Sequence, residues 1–521
     1  MDLLEEAWLV GQGPLGERGK LSPLQIADPA WADLATPRPD FRGALYQFLI
    51  GLLQTTYAPQ DLQEWRDRYA NPPSRDELEA AFAPYRHAFL LENDGPAFMQ
   101  DLALPDEANQ LPVLELLIDA GSSSNLYFNK PAADHGLCQH CFAQAVLTLQ
   151  LNAPAGGRGV RTSLRGGGPL TTLLRPADEQ ASLWQKLWLN VIPQDALGYP
   201  PITSLSDVLP WLAPTRTSDD KGGTDTPPES VHPLQAYWSM PRRIRLDEST
   251  VGQGDCAICA AKDVRLIHHY RTRHGGTNYT GNWMHPLTPY HLDAKGEKPP
   301  NSCKGRQGGR GYRDWLGLVL GKDDHRPDAA QVVRAFTAKR YRWPARLWCF
   351  GFDAPKMKAL CWYDSSLPIY TLDQGLQRVF VKRVKEVLDT ADSMASTLRA
   401  QVKSAWFRRP GDHREITVGR DPISQSFWQA TEPTFYRLLD ELAVLDFDSD
   451  RELAPVYRRW LRDTRQQVLA LFDHWVLSGP LEDQDMQRIV KARADLAKEL
   501  NAGKAMKPLW EIVNRYDREP A

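Results

Sequence analysis

Two Cys-x-x-Cys pairs lie far apart in this chain and constrain its folding more than any other feature. The first pair is Cys138 and Cys141, and the second is Cys256 and Cys259. Four thiolates offered as two such pairs match the ligands of a tetrahedral Zn²⁺ ion. A metal ion bound by both pairs would close residues 142–255 into one large loop.

The same cysteines allow other interpretations. Free thiols, a disulfide or a redox pair also use cysteines at this spacing. His135 and His140 are close enough in sequence to replace one cysteine as a ligand. An all-cysteine set favours a closed structural zinc site, because a catalytic zinc ion usually keeps one coordination position open.

Length and charge limit the class of protein. The chain has 521 residues and a net charge of −3, so any nucleic-acid contact must use local patches. Seven cysteines form no disulfide framework at this length, and the acidic N-terminus does not suit a secretory signal. No apolar run is long enough for a membrane span, which predicts a cytoplasmic protein without membrane contact.

The chain contains seventeen tryptophans. They predict large buried anchors, with interface anchors as the alternative.

Hydrophobic periodicity changes near residue 370. Before it, apolar runs alternate with turns and predict mixed helix and strand, with a β-rich region over residues 237–360 and a flexible loop or linker at 213–230. After it, apolar residues recur at helical steps. The predicted fold class is α+β: a large mixed N-terminal domain (1–370) with a metal site of four cysteines, then a C-terminal four-helix bundle (371–521). The four helices are predicted at 373–407, 422–445, 451–477 and 485–500.

A glycine–arginine loop is the first candidate for nucleic-acid binding. Gly157 and Gly159 let the backbone approach a ligand closely and expose N–H donors. Arg158, Arg161 and Arg165 add charge that can pair with phosphates. A plain flexible turn explains the same composition.

Two further candidate segments adjoin the cysteine pairs. Tyr127-Phe128-Asn129-Lys130 precedes the first pair and combines base-stacking aromatics with a phosphate-binding cation. Tyr270–Gly276 follows the second pair, carries Arg271 and Arg273, and predicts a basic hairpin tip. Core aromatics and a solvated turn are the competing interpretations. One metal ion joining both pairs would bring the two segments to one surface.

Taken in order, these motifs resemble the CasA family, the large subunit of the type I-E CRISPR surveillance complex Cascade. The resemblance runs along nearly the whole chain. The residues that carry it are Met1-Asp2-Leu3-Leu4 with Trp8, Phe98-Met99-Gln100, Asn129-Lys130-Pro131, Leu137-Cys138-x-x-Cys141, Ser163-Leu164-Arg165-Gly166-Gly167, Cys256-x-x-Cys259 and Trp283-x-His285-Pro286.

The resemblance implies DNA recognition without catalysis. A CasA subunit reads the protospacer-adjacent motif in double-stranded DNA, mostly from the minor groove. It then promotes duplex opening, so that the guide CRISPR RNA pairs and an R-loop forms. The implied partners are the backbone, handle-binding and small subunits of Cascade, the guide RNA, the target duplex, and the helicase-nuclease recruited for antiviral defence. Structural Zn²⁺ is the expected cofactor.

The resemblance also implies roles for individual segments. Tyr127-Phe128-Asn129 matches the loop that contacts the guide handle, and Gly157-Arg158-Gly159 matches a glycine loop in which arginine replaces one glycine. Arg271 or Arg273 matches a lysine finger of the minor groove, which attracts arginine where it is narrow. Lys356-Met357-Lys358 lies where the family places a wedge; the family's glutamine is missing, and Met357 is a suitable apolar substitute.

Two other functions remain open from the sequence. One is a metal-dependent nuclease or hydrolase that uses the cysteine site, and the other is an architectural subunit that only docks neighbours. No Walker A, G-x-S-x-G or H-E-x-x-H motif is present, which favours a protein that is not an enzyme.

Overall fold

The computed structural model describes most of the chain. The described residues are 1–119, 135–157, 159–218, 222–293, 295–321, 328–338, 344–354, 361–370, 374–409 (side chains from 378), 411, 421–445, 449–478 and 484–516. Within these ranges, no helix combines the length and the apolar character needed to cross a membrane.

The chain divides into two compact units. The first comprises Met1–Gly309 and Lys322–Ile369, and the second comprises Arg310–Gly321 and Tyr370–Ala521. The mixed α/β character predicted for the fold is confirmed, and the C-terminal region is helical. The assignment of separate functions to residues 1–370 and 371–521 stays a prediction.

The first unit combines short helices with many short strands. Its helices in the described ranges are α1 (Pro39–Thr56), α2 (Leu62–Ala70), α3 (Arg75–Phe82), α4 (Gln139–Asn152), α5 (Leu183–Trp188), α6 (Gln194–Leu197) and α7 (Gln331–Ala338). Its strands there are β1 (Leu9–Gln12), β2 (Arg18–Leu21), β3 (Asp33–Leu34), β4 (Asn109–Pro112), β5 (Leu137–Cys138), β6 (Thr171–Pro176), β7 (Asp225–Thr226), β8 (Arg243–Leu246), β9 (Val251–Gly254), β10 (Val264–Ile267), β11 (His269–Arg273), β12 (Asn278–Tyr279), β13 (Tyr290–His291), β14 (Asn301–Ser302), β15 (Ala345–Asp353) and β16 (Cys361–Ile369).

These strands form several small sheets. The three-stranded sheets have the orders β2-β1-β3, β5-β10-β9, β4-β11-β8 and β16-β15-β6, and their strands are antiparallel. Strand β13 pairs with β14, and β12 pairs with β7 in parallel. The β-rich region predicted over residues 237–360 is confirmed.

Helix α1 lies in the core of the first unit. Pro39 starts the helix, where its missing N–H costs no intrahelical hydrogen bond. The helix is apolar and buried on almost every side, as expected for a core helix. Its Phe48 makes edge-on contacts, with ring centroids 5.7–6.0 Å away, to Trp8, Phe89, Phe98 and Trp238.

Buried tryptophans join distant segments of this core. The indole N–H of Trp65 donates to Val191 O over 2.8 Å, and that of Trp238 donates to Thr55 Oγ1 over 2.9 Å. A buried donor without an acceptor is costly, so each bond orients its ring. The core interpretation is confirmed for the fully buried tryptophans, which are Trp8, Trp65, Trp184, Trp188, Trp211, Trp238 and Trp315.

The polar stretch 213–230 is packed against the rest of the first unit where it is described. Thr224 N donates to Thr217 O over 2.8 Å, and β7 pairs with β12. The guanidinium of Arg216 donates to Ser230 Oγ and Ser230 O. Residues 213–218 and 222–230 form a surface loop, as predicted, and the loop lies within the first unit and does not link the two units.

The second unit is built from helices. Among the described residues, its α-helices are α8 (Gln374–Trp406), α9 (Pro422–Leu442), α10 (Asp450–Leu477), α11 (Met486–Ala502) and α12 (Lys507–Tyr516). The first four confirm the predicted helices to within a few residues. Three begin at a polar cap whose side chain accepts a backbone N–H, namely Asp421, Ser449 and Asp485.

Two ion pairs show the relative direction of α9 and α10. Arg437 on α9 pairs with Asp463 on α10 over 3.1 Å, and Glu441 pairs with Arg459 over 2.8 Å. Because one residue number rises while the other falls, the two helices are antiparallel. The apolar stripe of α8, including Phe380, is buried.

Residues 310–321 contact helices that are distant in sequence. The ring of Tyr312 stacks on Phe435 with centroids 4.4 Å apart, and its hydroxyl lies 2.7 Å from Thr431 Oγ1. Trp315 is fully buried and lies edge-on to Phe435. The sequence pattern near residue 370 carries no signal of this segment, because the contacts are between residues far apart in the chain.

We predict that residues 310–321 stabilise the second unit. Trp315→Ala should lower its free energy of unfolding by about 3–5 kcal/mol, because the change leaves a large cavity. Tyr312→Phe should cost about 1 kcal/mol for the lost buried hydrogen bond. Urea unfolding followed by far-UV circular dichroism measures both. Val444→Ala, at a side chain that is 83% exposed, is the control and should stay within about 0.5 kcal/mol. Equal midpoints for all three variants would contradict the prediction.

Candidate metal centre and nucleic-acid interface

The four cysteines of the two pairs form one cluster. The Sγ atoms of Cys138, Cys141, Cys256 and Cys259 all lie within 4.8 Å of one another. The first three side chains are buried and Cys259 is exposed. Neither His135 nor His140 belongs to this group of candidate ligands in the described ranges.

The first pair lies at the start of α4. Cys138 is the residue that precedes the helix, and Cys141 lies in its first turn. The partial positive charge of a helix N-terminus favours thiolates at this position. Glu92 links the start of α4 to β10. It accepts a hydrogen bond from Gln139 over 3.0 Å and forms an ion pair with Arg265.

The second pair lies on a tight turn between β9 and β10. Cys256 N donates to Ala261 O over 2.9 Å, and Ala260 N donates to Cys256 O over 3.0 Å. Ala260 has φ +55°, a left-handed conformation that reverses the chain. Ala257 N donates to Gly136 O over 3.1 Å and so joins the backbones of the two pairs.

The cluster fits a tetrahedral metal ion. Zinc–sulfur bonds of about 2.3 Å place the sulfurs of a tetrahedral site roughly 3.8 Å apart. The Sγ atoms of Cys138 and Cys259 are 3.7 Å apart. All four cysteines are free thiols in the structure, so the disulfide interpretation does not describe them. The set can therefore hold a metal ion, whose identity the sulfurs alone do not determine.

Hydrogen bonds among the three buried thiols shift their pKa values in opposite directions. The thiols of Cys138 and Cys141, together with the backbone N–H of Cys138, hold the pKa of Cys256 well below its usual range. The pKa of Cys141 is raised, because hydrogen bonding with the sulfurs of Cys138 and Cys256 favours its protonated form and because the thiol is buried. One thiolate is thus favoured, and a bound metal ion would allow the other thiols to ionise as well.

The glycine loop lies at the other end of α4. That helix is about 21 Å long at 1.5 Å per residue and ends at Asn152. Gly157 and Gly159 have φ +104° and +76°, which glycine adopts without strain. A Cβ atom at Gly159 would lie 3.2 Å from His274 Cβ. The loop therefore packs directly against the residues that follow β11.

The predicted basic hairpin tip at Tyr270–Gly276 is wrong. Residues up to Arg273 form β11, the middle strand of the sheet β4-β11-β8. Tyr270 is buried on one face of this sheet, and Arg271 and Arg273 lie on the other face because strand side chains alternate. Sequence reasoning missed the strand because both of its neighbours are distant in the chain.

Arg271 and Arg273 differ in their partners. Arg271 Nε lies 3.4 Å from Asp247 Oδ2, and its Nη1 donates to Asp106 O over 3.2 Å. Arg273 is exposed at the end of β11 and forms no ion pair within the described ranges. Its register neighbour Arg243 is bonded to the buried Asp101. Arg273 is thus the more accessible cation of the two predicted.

The guanidinium groups of Arg161 and Arg165 form hydrogen bonds within the protein. Arg161 donates from Nε to Ser218 Oγ over 2.7 Å and from Nη2 to Ser218 O over 3.0 Å. Arg165 is buried, and the acceptors of its guanidinium are Gln47, Leu151, Thr171 and Thr288. The suggestion that Arg165 pairs with phosphates is therefore wrong. Sequence reasoning missed Ser218, for which no local pattern gives a signal.

The other predicted contact residues lie outside the described residues. They are Tyr127, Phe128, Asn129, Lys130, Arg158, Lys356, Met357 and Lys358. Their roles stay predictions.

These features define a class of protein: a mixed α/β chain with a C-terminal helical region and a four-cysteine cluster. A sequence model of the family described as CRISPR-associated protein Cse1 matches residues 2–471. The chain therefore belongs to the Cse1 family. The predicted resemblance to the CasA family, the large subunit of type I-E Cascade, is confirmed.

Solved structures share this fold. CasA (Cse1) from Thermus thermophilus is 17% identical with a TM-score of 0.69, and the match covers 99% of each chain. Cse1 from Thermobifida fusca is 19% identical with a TM-score of 0.66, covering 96% of this chain and 98% of that chain. A chain of a CRISPR RNA-guided surveillance complex is 16% identical with a TM-score of 0.67, covering 96% and 99%. At these identities the similarity shows the fold.

We predict that the cysteine cluster binds one metal ion that stabilises the first unit. Cys141→Ser and Cys256→Ser should each abolish stoichiometric metal and lower the free energy of unfolding by more than about 3 kcal/mol, since loss of a structural metal is among the large effects. Elemental analysis by mass spectrometry and urea unfolding measure the two results.

The matched control is Cys361→Ser, because Cys361 is exposed and outside the cluster. It should keep the metal and change stability by no more than about 0.5 kcal/mol. A purified chain without stoichiometric metal, or serine variants as stable as the parent, would contradict a structural metal.

Proposed function

We propose that this chain is the large subunit of a type I-E Cascade complex and recognises the protospacer-adjacent motif in double-stranded DNA without catalysing a reaction. In this proposal it promotes duplex opening and R-loop formation and helps recruit the helicase-nuclease for antiviral defence. Its cytoplasmic location follows from the same role.

The contact between the glycine loop and the end of β11 is the main support for this proposal. Gly159 O accepts a hydrogen bond from Gly275 N over 2.9 Å, two residues beyond Arg273. An open loop backbone and an accessible arginine therefore adjoin each other in a chain of the Cse1 family. This supports a surface on which backbone groups and a cation reach the same stretch of duplex.

The physics of DNA recognition is consistent with this surface. The minor groove mainly separates A·T from G·C pairs, so a reader working there tolerates related motifs. Longer sequence is then read by pairing with the guide RNA. A local cation suffices on a chain of net charge −3, because the other subunits can supply further contacts to the DNA backbone.

The proposal includes partners and a cofactor. The predicted contacts at Tyr127-Phe128-Asn129-Lys130, Arg158 and Lys356-Met357-Lys358 would meet guide RNA and duplex. Helices α8–α11 would form a four-helix bundle that contacts the small subunits and helps hold the displaced strand. Structural Zn²⁺ at the cysteines would hold both pairs together without taking part in chemistry.

A metal-dependent nuclease or hydrolase is the competing function. Four protein sulfurs fill a tetrahedral site, whereas a catalytic zinc ion usually keeps a position for water. DNA cleavage by the isolated chain that disappears in Cys256→Ser would favour the competing function.

The direct test of the proposed function compares complexes with and without this chain on targets that differ only in the flanking motif. Equal binding to both targets by the complete complex would overturn it.

We predict that Arg273 contributes more than Arg271 to binding of motif-bearing DNA by the assembled complex. Arg273→Ala should weaken binding and flatten the dependence of log affinity on log salt by roughly one, as expected for a lost phosphate contact. Arg271→Ala should have a smaller effect, since Asp247 and Asp106 O already engage that guanidinium.

The control is Arg346→Ala, which removes the same charge from a side chain bonded to Ser366 on β16. It should leave both affinity and salt dependence unchanged. An equal loss of affinity in all three alanine variants would show that only the overall charge matters.

A further inference from the structure

Three segments of the first unit meet at Ser218. Its backbone N donates to Gly275 O over 3.0 Å, and its hydroxyl donates to Gly276 O over 2.5 Å. The same hydroxyl accepts from Arg161 Nε over 2.7 Å. With the bond from Gly275 N to Gly159 O, this network closes a ring of contacts through the glycine loop, Ser218 and the chain after β11.

The backbone around this network is closely packed. A Cβ atom at Gly276 would lie 2.0 Å from Pro241 O, so the backbone there is packed too closely for any other residue. Gly275 has φ +76°, which favours glycine. The chain on either side of Ser218 is also bonded: Thr224 N donates to Thr217 O, and β7 pairs with β12.

The guanidinium of Arg161 is oriented by its contact with Ser218. Two of its donor nitrogens are aimed at one residue, and the forked guanidinium matches the Oγ and O atoms of Ser218 together. Lysine carries the same charge on a single nitrogen and does not reproduce this fork. The geometry and the charge of Arg161 can therefore be tested separately.

We propose that Arg161 and Ser218 are positioning residues that hold the glycine loop beside the end of β11 and thereby set how the surface discriminates the DNA motif. This inference rests on the proposed function. It assigns Arg161 a role through Ser218 in place of the direct DNA contact predicted from sequence. It also adds Ser218, from a third segment of the chain, to the recognition surface.

The test uses Arg161→Lys, Arg161→Gln and Ser218→Ala in the assembled complex. The measured quantity is the ratio of affinities for targets with and without the motif, at several salt concentrations. Each variant should reduce the ratio by about tenfold, which corresponds to a lost hydrogen bond to a charged group. The salt dependence should not change in Arg161→Lys or Ser218→Ala.

The matched controls are Arg346→Lys and Ser366→Ala, since Arg346 donates to Ser366 Oγ and O in the same way on β15 and β16. They should leave the ratio unchanged. Hydrogen exchange of the isolated chain provides a readout independent of DNA: residues 273–277 should exchange faster in Ser218→Ala than in Ser366→Ala.

The outcomes separate the two claims. A parent complex that binds both targets equally overturns the proposed function. A discriminating parent complex whose ratio survives Arg161→Lys and Ser218→Ala overturns the positioning role. A ratio that survives Arg161→Lys but falls in Arg161→Gln, with a flatter salt dependence, shows that Arg161 contacts phosphate directly.

Discussion

The approach of four cysteine sulfurs to within 4.8 Å of one another joins the two segments that lead to the candidate interface. It brings the start of α4 against the turn between β9 and β10. Helix α4 leads from there to the glycine loop, and β10 and β11 lead to Arg273. The two paths meet again where Gly275 N bonds Gly159 O. Strand β5 has only two residues, and the contacts of Glu92 and the bond from Ala257 N to Gly136 O add to its pairing with β10.

The sequence predicts the features that depend on local spacing. The cysteine cluster follows from two short motifs, and the helices of the second unit follow from apolar residues at helical steps. It does not predict β11 as a central strand, the contacts of residues 310–321, or the packing of 213–230. Each of these depends on a partner far away in the chain, and no local pattern encodes the choice of that partner.

The arginines near the candidate interface show why residue type alone does not identify a binding role. Arg165 is buried among four acceptors, and Arg161 is bonded to Ser218. Arg271 has the carboxylate of Asp247 nearby, whereas Arg273 is exposed. Only the acceptors that the fold supplies distinguish these four side chains, although all carry the same charge and lie near glycine-rich sequence.

The route of the chain between its two compact units limits how they can evolve separately. The chain enters the second unit at Arg310, leaves it after Gly321 and returns at Tyr370. A genetic exchange with one breakpoint near residue 370 would bring in helices α8–α12 without the native Tyr312 and Trp315. Phe435 would then lose its native contacts with Tyr312 and Trp315. Recombination between relatives should therefore preserve function mainly when both segments are inherited together.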